Sequence, residues 1–137
     1  LATTWWASGW VRIHLGDPET AISHFAHAMG ISPFDRLTFL MQTGTASAHF
    51  YAGRCDEASL WAERALREKP DSPLILRMAA SNNALVARLD RAQRFTARLR
   101  EVDPTFRVSN VKDLVPFAQP IDVARFEDGM QKSGLQE

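Results

Sequence analysis

The sequence predicts an all-α fold of antiparallel helix pairs, repeated three times and closed by a further C-terminal helix. Three observations carry this reading. Small and apolar residues recur at i, i+4 and i+7 in three stretches: Ala21, Phe25, Ala28; Ala58, Ala62, Ala65; and Ala92, Thr96, Leu99. A proline follows twelve residues after each leading alanine, at Pro33, Pro70 and Pro104. The two-residue alternation of half-buried strands is absent. Self-similarity of this kind marks a repeat array, in which each unit covers the apolar face of its neighbour.

The elements follow in order. The first helix carries Trp5, Ser8, Gly9 and Arg12, with Gly9 small enough for close helix contact. Gly16-Asp17-Pro18-Glu19 suits a tight turn and then an acidic first turn, which the positive end of a helix favours. The second helix holds Ala21, Phe25 and Ala28. It is expected to stop at Pro33, because proline lacks a donor and biases the preceding residue away from helical geometry. Pro33 to Pro70 is 37 residues and Pro70 to Pro104 is 34. The surplus is assigned to a longer turn at Ser32-Pro33-Phe34-Asp35-Arg36, with Phe34 tucked between helices. The second pair reads Gln42, Thr45, Ala46 and His49, then Gly53 to Glu57 as turn and first turn, then the Ala58 set. The third reads Leu76, Ala79, Ala80 and Asn83, then Leu89-Asp90-Arg91 and the Ala92 set. The repeats are placed at about 2–35, 39–72 and 73–106, leaving 107–137 as linker and capping helix. Residues 105–119 suit a short helix and an extended link. Pro120 then fits a first helical position. Val123, Phe126 and Met130 form one apolar stripe, expected to cap the open end of the array.

The 34-residue period and the Ala-x3-Φ-x2-Ala/Leu sets resemble the tetratricopeptide repeat. That resemblance implies a right-handed solenoid whose first helices line a concave groove. The first-helix signature is only partly kept: Trp5 and Gly9 match it, and its tyrosine is missing from all three repeats. A narrower resemblance joins Tyr51 to Ala58, Trp61 to Leu66, Pro70, Arg77 to Ala80 and Ala87 to Ala92. Phe106 to Ser109, Leu114 to Phe117, Arg125 to Gly129 and Ser133 to Leu135 extend it to the closing segment. Together these are similar to the C-terminal tetratricopeptide tails of α-proteobacterial class III adenylate/guanylate cyclases. Helix–turn–helix transcriptional regulators carry similar tails, and a stand-alone adaptor is a further reading. If the parent is a cyclase, the resemblance makes this stretch its regulatory or assembly part, with no residue touching ATP.

Composition narrows the function classes. The 137 residues suit one domain, and 45% hydrophobic with 23% charged residues suits a folded one. Sixteen Lys and Arg balance sixteen Asp and Glu, which argues against a nucleic-acid or anionic-membrane partner. One cysteine excludes an internal disulfide; with no signal peptide, a cytoplasmic setting is expected. The start at Leu1 within helix-like sequence implies a piece of a longer protein. No phosphate loop, nucleophile elbow or zinc-ligand pattern occurs, so neither catalysis nor a cofactor is expected. His14, His24 and His27 lack further ligands at metal spacing and read as solvated. Cys55 reads as an exposed thiol in a turn. Arg88, Arg91, Arg94 and Arg98 read as a solvated helix face, because acidic residues interleave with them.

The candidate binding residues are aromatic. Trp6 and Trp10 are four apart and share a helix face distinct from that of Trp5. By the resemblance, that face looks into the groove. The same register selects Thr43, Ser47, Phe50 and Tyr51, then Arg77, Met78, Ser81 and Leu85. A surface of this composition suits a peptide or helix of a protein partner. Equally open is an intramolecular reading, with an upstream repeat or the C-terminal segment covering these side chains. Tetratricopeptide domains that clamp carboxylates place Lys and Asn where Trp6 and Trp10 stand here, so that mode is not expected. A homodimer through the N-terminal helices is the expected way to cover exposed indoles.

Overall fold

The computed structural model describes residues 1–31, 37–111 and 119–137. Among them are seven α-helices, one 3-10 turn and no strand. The helices are α1 (Ala2–His14), α2 (Pro18–Ile31), α3 (Thr38–Tyr51), α4 (Cys55–Glu68), α5 (Pro73–Leu85), α6 (Leu89–Val102) and α7 (Pro120–Lys132), with the 3-10 turn at Val108–Asn110. The expected long turn at 32–36, with Pro33 and Phe34, lies outside the described residues. So do 112–118, which include the Leu114 to Phe117 stretch.

The first six helices pack as neighbouring pairs, α1 on α2, α3 on α4 and α5 on α6, and α2 and α4 each also touch the next helix. The spacing of small residues explains the pairing. Ala21, Phe25, Ala28, Ala58, Ala62, Ala65, Ala92, Thr96 and Leu99 are each at most 1% exposed. A helix whose inner face is alanine lets its partner's backbone come close, which buries apolar area without large side chains to order.

One backbone device closes all three pairs. In the first turn the Asp17 N–H donates to the Arg12 carbonyl (2.8 Å) and the Gly16 N–H to that of Ile13 (3.0 Å). Arg54 to His49 (2.9 Å) with Gly53 to Phe50 (3.0 Å), and Arg88 to Asn83 (2.8 Å) with Ala87 to Ala84 (3.1 Å), repeat it. This is the Schellman arrangement, which needs a left-handed residue just past the helix end. Gly16 (φ +78°) and Gly53 (φ +85°) supply it; in the third turn Ala87 (φ +64°) does, a position the turn assignment to Leu89-Asp90 did not single out.

Phe25 locks the first pair to the second. Its ring is fully buried in a slot between Gly9 of α1 and Gly44 of α3, where a Cβ would come within 2.6 Å and 2.5 Å of ring carbons. The main core runs from α3 to α7, and two smaller clusters lie under α1 and α2.

The expected placement of the last helix is corrected. α7 does not cover the open end beyond α6; it lies along α5. Gly129 is pressed onto the Ser81 hydroxyl and backbone, and Ser81 Oγ donates to the Phe126 carbonyl at 3.1 Å. The stripe does face the last pair, with Met130 fully buried but Val123 and Phe126 only half-buried. The residues after α7 reach α6 and the 3-10 turn. Thr96 Oγ1 bonds Ser133 Oγ at 2.7 Å, and the Val108 N–H donates to the Gln136 carbonyl at 2.8 Å. A glycine at 129 explains the choice: it permits a backbone approach to α5 that a side chain there would forbid.

Candidate functional site

The same-face residues of α1, α3 and α5 meet α7 around a cavity of about 560 Å³. Of the nine candidate residues, Trp10, Ser47, Phe50, Tyr51, Arg77 and Met78 line it. The register that selected them is a helical one, so the array brings them together without any side chain having to reach.

Three candidates lie elsewhere. The Trp6 indole is half-buried, and its Nε1 donates to the Leu40 carbonyl at 3.4 Å, so α3 covers it. Thr43 is buried and donates to the Phe39 carbonyl at 2.6 Å. Ser81 is fully buried beneath α7, and Leu85 packs beside Gly129. The C-terminal segment thus covers the α5 end of the face, as the intramolecular reading envisaged, and leaves the cavity beside it.

The cavity walls are largely apolar. Phe50 is 3% exposed and Met78 5%, while Leu15 and Leu74 stand at the wall with 69% and 49% exposure. Trp10 meets Phe25 edge-on at 6.0 Å, which fixes the indole. Phe50 is held from behind: the Arg125 guanidinium lies 4.4 Å from its ring centre, and Phe126 stands edge-on at 5.5 Å. Ser47 Oγ turns back to the Thr43 carbonyl at 3.0 Å.

Two ion pairs stand at the wall among the described residues. The Arg77 guanidinium contacts Asp103 at 3.3 Å and lies 4.4 Å from the Phe106 ring centre. Asp122 contacts Arg125 at 3.1 Å. Burial pushes the Tyr51 hydroxyl up from its ordinary range, and the Asp122 carboxylate adds to this. No hydrogen bond from that hydroxyl is formed among the described residues.

Several wall residues were not legible as site residues. Ile13, Leu15 and Leu74 read as ordinary helix positions. Val111 and Gln119 are set by no local pattern, and Asp122 lies in α7, whose seat along α5 has no local signal.

The remaining singled-out residues have other roles. His24 Nδ1 lies 2.9 Å from Ser8 Oγ, and Trp5 packs on His24 and His27 at 5.0 Å and 4.2 Å between ring centres. His24 is therefore half-buried rather than fully solvated. Cys55 is not an exposed turn thiol: it opens α4, is half-buried against the core, and burial pushes its thiol up. Arg88 donates to Ser59 Oγ (2.9 Å), Arg91 pairs with Glu63 (3.5 Å), and Arg98 pairs with Asp71 and Glu101. No helix among the described residues is long and apolar enough to cross a membrane. No protein-family model and no curated protein matches this chain.

Proposed function

We propose that the chain is a non-catalytic protein-interaction module of the tetratricopeptide type, which receives a segment of a partner protein in the cavity between α1, α3, α5 and α7. The observation that carries this is the gathering of Trp10, Phe50, Tyr51 and Met78 on one partly open cavity, with exposed Leu15 and Leu74 at its wall. An apolar concavity with a few polar groups is the usual form of a recognition site. The three recurring Schellman turns support the repeat reading. By the resemblance of its closing segment, the module belongs to a bacterial signalling protein of the class III cyclase kind. The purified chain is accordingly expected to give no cyclic nucleotide from ATP or GTP with a divalent metal.

Random-peptide display on the immobilised chain tests the binding role. A family of related peptides should be enriched, and Leu74→Glu should lose it while leaving helix content unchanged. No enrichment, or enrichment indifferent to Leu74→Glu, would overturn the proposal.

A further inference from the structure

The face formed by α1, α3 and α5 already holds one segment, the chain's own α7, and the way it is held says what else would fit. Ser81 is fully buried beneath α7, and its Oγ donates to the Phe126 carbonyl at 3.1 Å. A helix carbonyl is open to a second donor where the side chain three residues on leaves it bare, because helical side chains lie back over the turn before them. Gly129 is that residue, and a Cβ there would run into Ser81 Oγ. Apolar contacts flank the bare carbonyl: Met130 is fully buried, and Phe126 stands edge-on to Phe50 at 5.5 Å.

The second helix pair carries the same seat. Ser47 stands 34 residues before Ser81, the spacing of Pro70 and Pro104, so the two serines share one register on α3 and α5. Ser47 lines the cavity, together with Trp10 of α1 and Phe126 of α7. Its Oγ donates to the Thr43 carbonyl of its own helix at 3.0 Å. A turn about χ1 moves that bond to the carbonyl of an incoming helix, exchanging one hydrogen bond for another at little net cost. The surface is continuous with the α5–α7 interface, since Phe126 belongs to both.

We propose that the segment received in the cavity is an amphipathic helix built like α7, with a glycine that seats on Ser47 and large apolar residues three before and one after it. Helix-in-groove recognition of this kind is read through anchors on one helix face. The proposal rests on the reading of the cavity as the receiving site; the conformation and residue pattern of the partner are what it adds.

The test uses the full chain and a fluorescent peptide of the α7 sequence, Pro120–Lys132, held helical by a hydrocarbon staple in place of the exposed Ala124 and Asp128. Fluorescence anisotropy should show saturable binding. Gly129→Leu in the peptide, which covers the Phe126 carbonyl, should weaken it about tenfold or more. An unstapled peptide with Glu127→Pro, which breaks the helix, should bind no better. In the chain, Ser47→Leu fills the seat and should weaken binding as much. Ser47→Ala keeps the seat but loses the donor, and should weaken it about three- to tenfold with the circular dichroism spectrum unchanged. This milder variant decides the matter where Ser47→Leu unfolds the chain. No saturable binding of the stapled peptide, or binding indifferent to Gly129→Leu or to Ser47→Ala, would overturn the proposal. Failure here separates from failure of the binding role. Displayed peptides that are lost on Leu74→Glu but lack this helical pattern would refute the helix reading and keep the module reading.

Discussion

Phe25 shows how one side chain can fix the distance between two helix pairs. Its slot has no spare room at Gly9 or Gly44. Gly44→Ala should therefore destabilise the fold by about 1–3 kcal/mol through overpacking. Phe25→Leu in the same background should recover part of that loss, as read from urea denaturation midpoints. Ala87 is the converse case. It holds a left-handed conformation that costs an L-residue about 1–2 kcal/mol and glycine almost nothing. Ala87→Gly should raise stability by about 1 kcal/mol after the added freedom of the unfolded glycine is counted, measured by thermal or urea melting. His49 adds a pH dependence. It is 6% exposed, and Arg54 Nε donates to its Nδ1 at 3.1 Å, which requires the neutral ring. Burial lowers its pKa from the usual 6.5, opposed by Glu57. The unfolded chain thus takes up the proton first as pH falls. The stability His49 contributes is full above pH 6.5 and is lost as pH drops below it. Denaturation midpoints at pH 7.5 and 5.5 should fall less in His49→Gln than in the parent chain.

At the scale of elements, α7 is the piece whose placement defines the site. Its anchoring is uneven. Met130 is fully buried, whereas Phe126 is half-buried, so Met130→Ala should cost about 2–5 kcal/mol and Phe126→Ala less. Gly129→Val should lift the helix from Ser81. Tryptic cleavage after Arg125, slow while that side chain is tied to Phe50, should then become rapid with α1–α6 intact. Unchanged cleavage would show that α7 is held by its flanks alone. The apolar stripe of α7 was legible from its spacing. Its seat along α5 was not, because Gly129 has no apolar side chain to mark it and Ser81, selected as a groove residue, suits a partner's segment as well as the chain's own.

At the scale of the molecule, the indoles matter for stability as much as for association. Trp6 and Trp10 are half-buried against the first two pairs. Trp6→Ser/Trp10→Ser should therefore lower the melting temperature, where loose surface indoles would leave it unchanged. Large apolar residues left outside at α1 include Val11, 54% exposed, and Leu15, just past its end and 69% exposed. If copies pair through this helix, Val11→Glu/Leu15→Glu should lower the sedimentation coefficient at micromolar concentration without altering helix content. A concentration-independent monomer in the parent chain would remove the dimer proposal.

The sequence by itself determined the all-helical class, the pairing of small-faced helices and the shared register of Trp10, Ser47, Phe50, Tyr51, Arg77 and Met78. Each is coded locally, by residues within one or two helical turns or by a proline that no helix interior accepts. Tertiary structure alone decided the rest. Trp6 and Thr43 stand in the selected register but lie away from the cavity. The fold-back of α7 makes Asp122 and Phe126 wall residues and hides Ser81. The packing of α5 on α6 pairs Arg77 with Asp103, 26 residues away. Such contacts depend on which surfaces meet after the helices have formed, and no local spacing records a partner that distant in the chain.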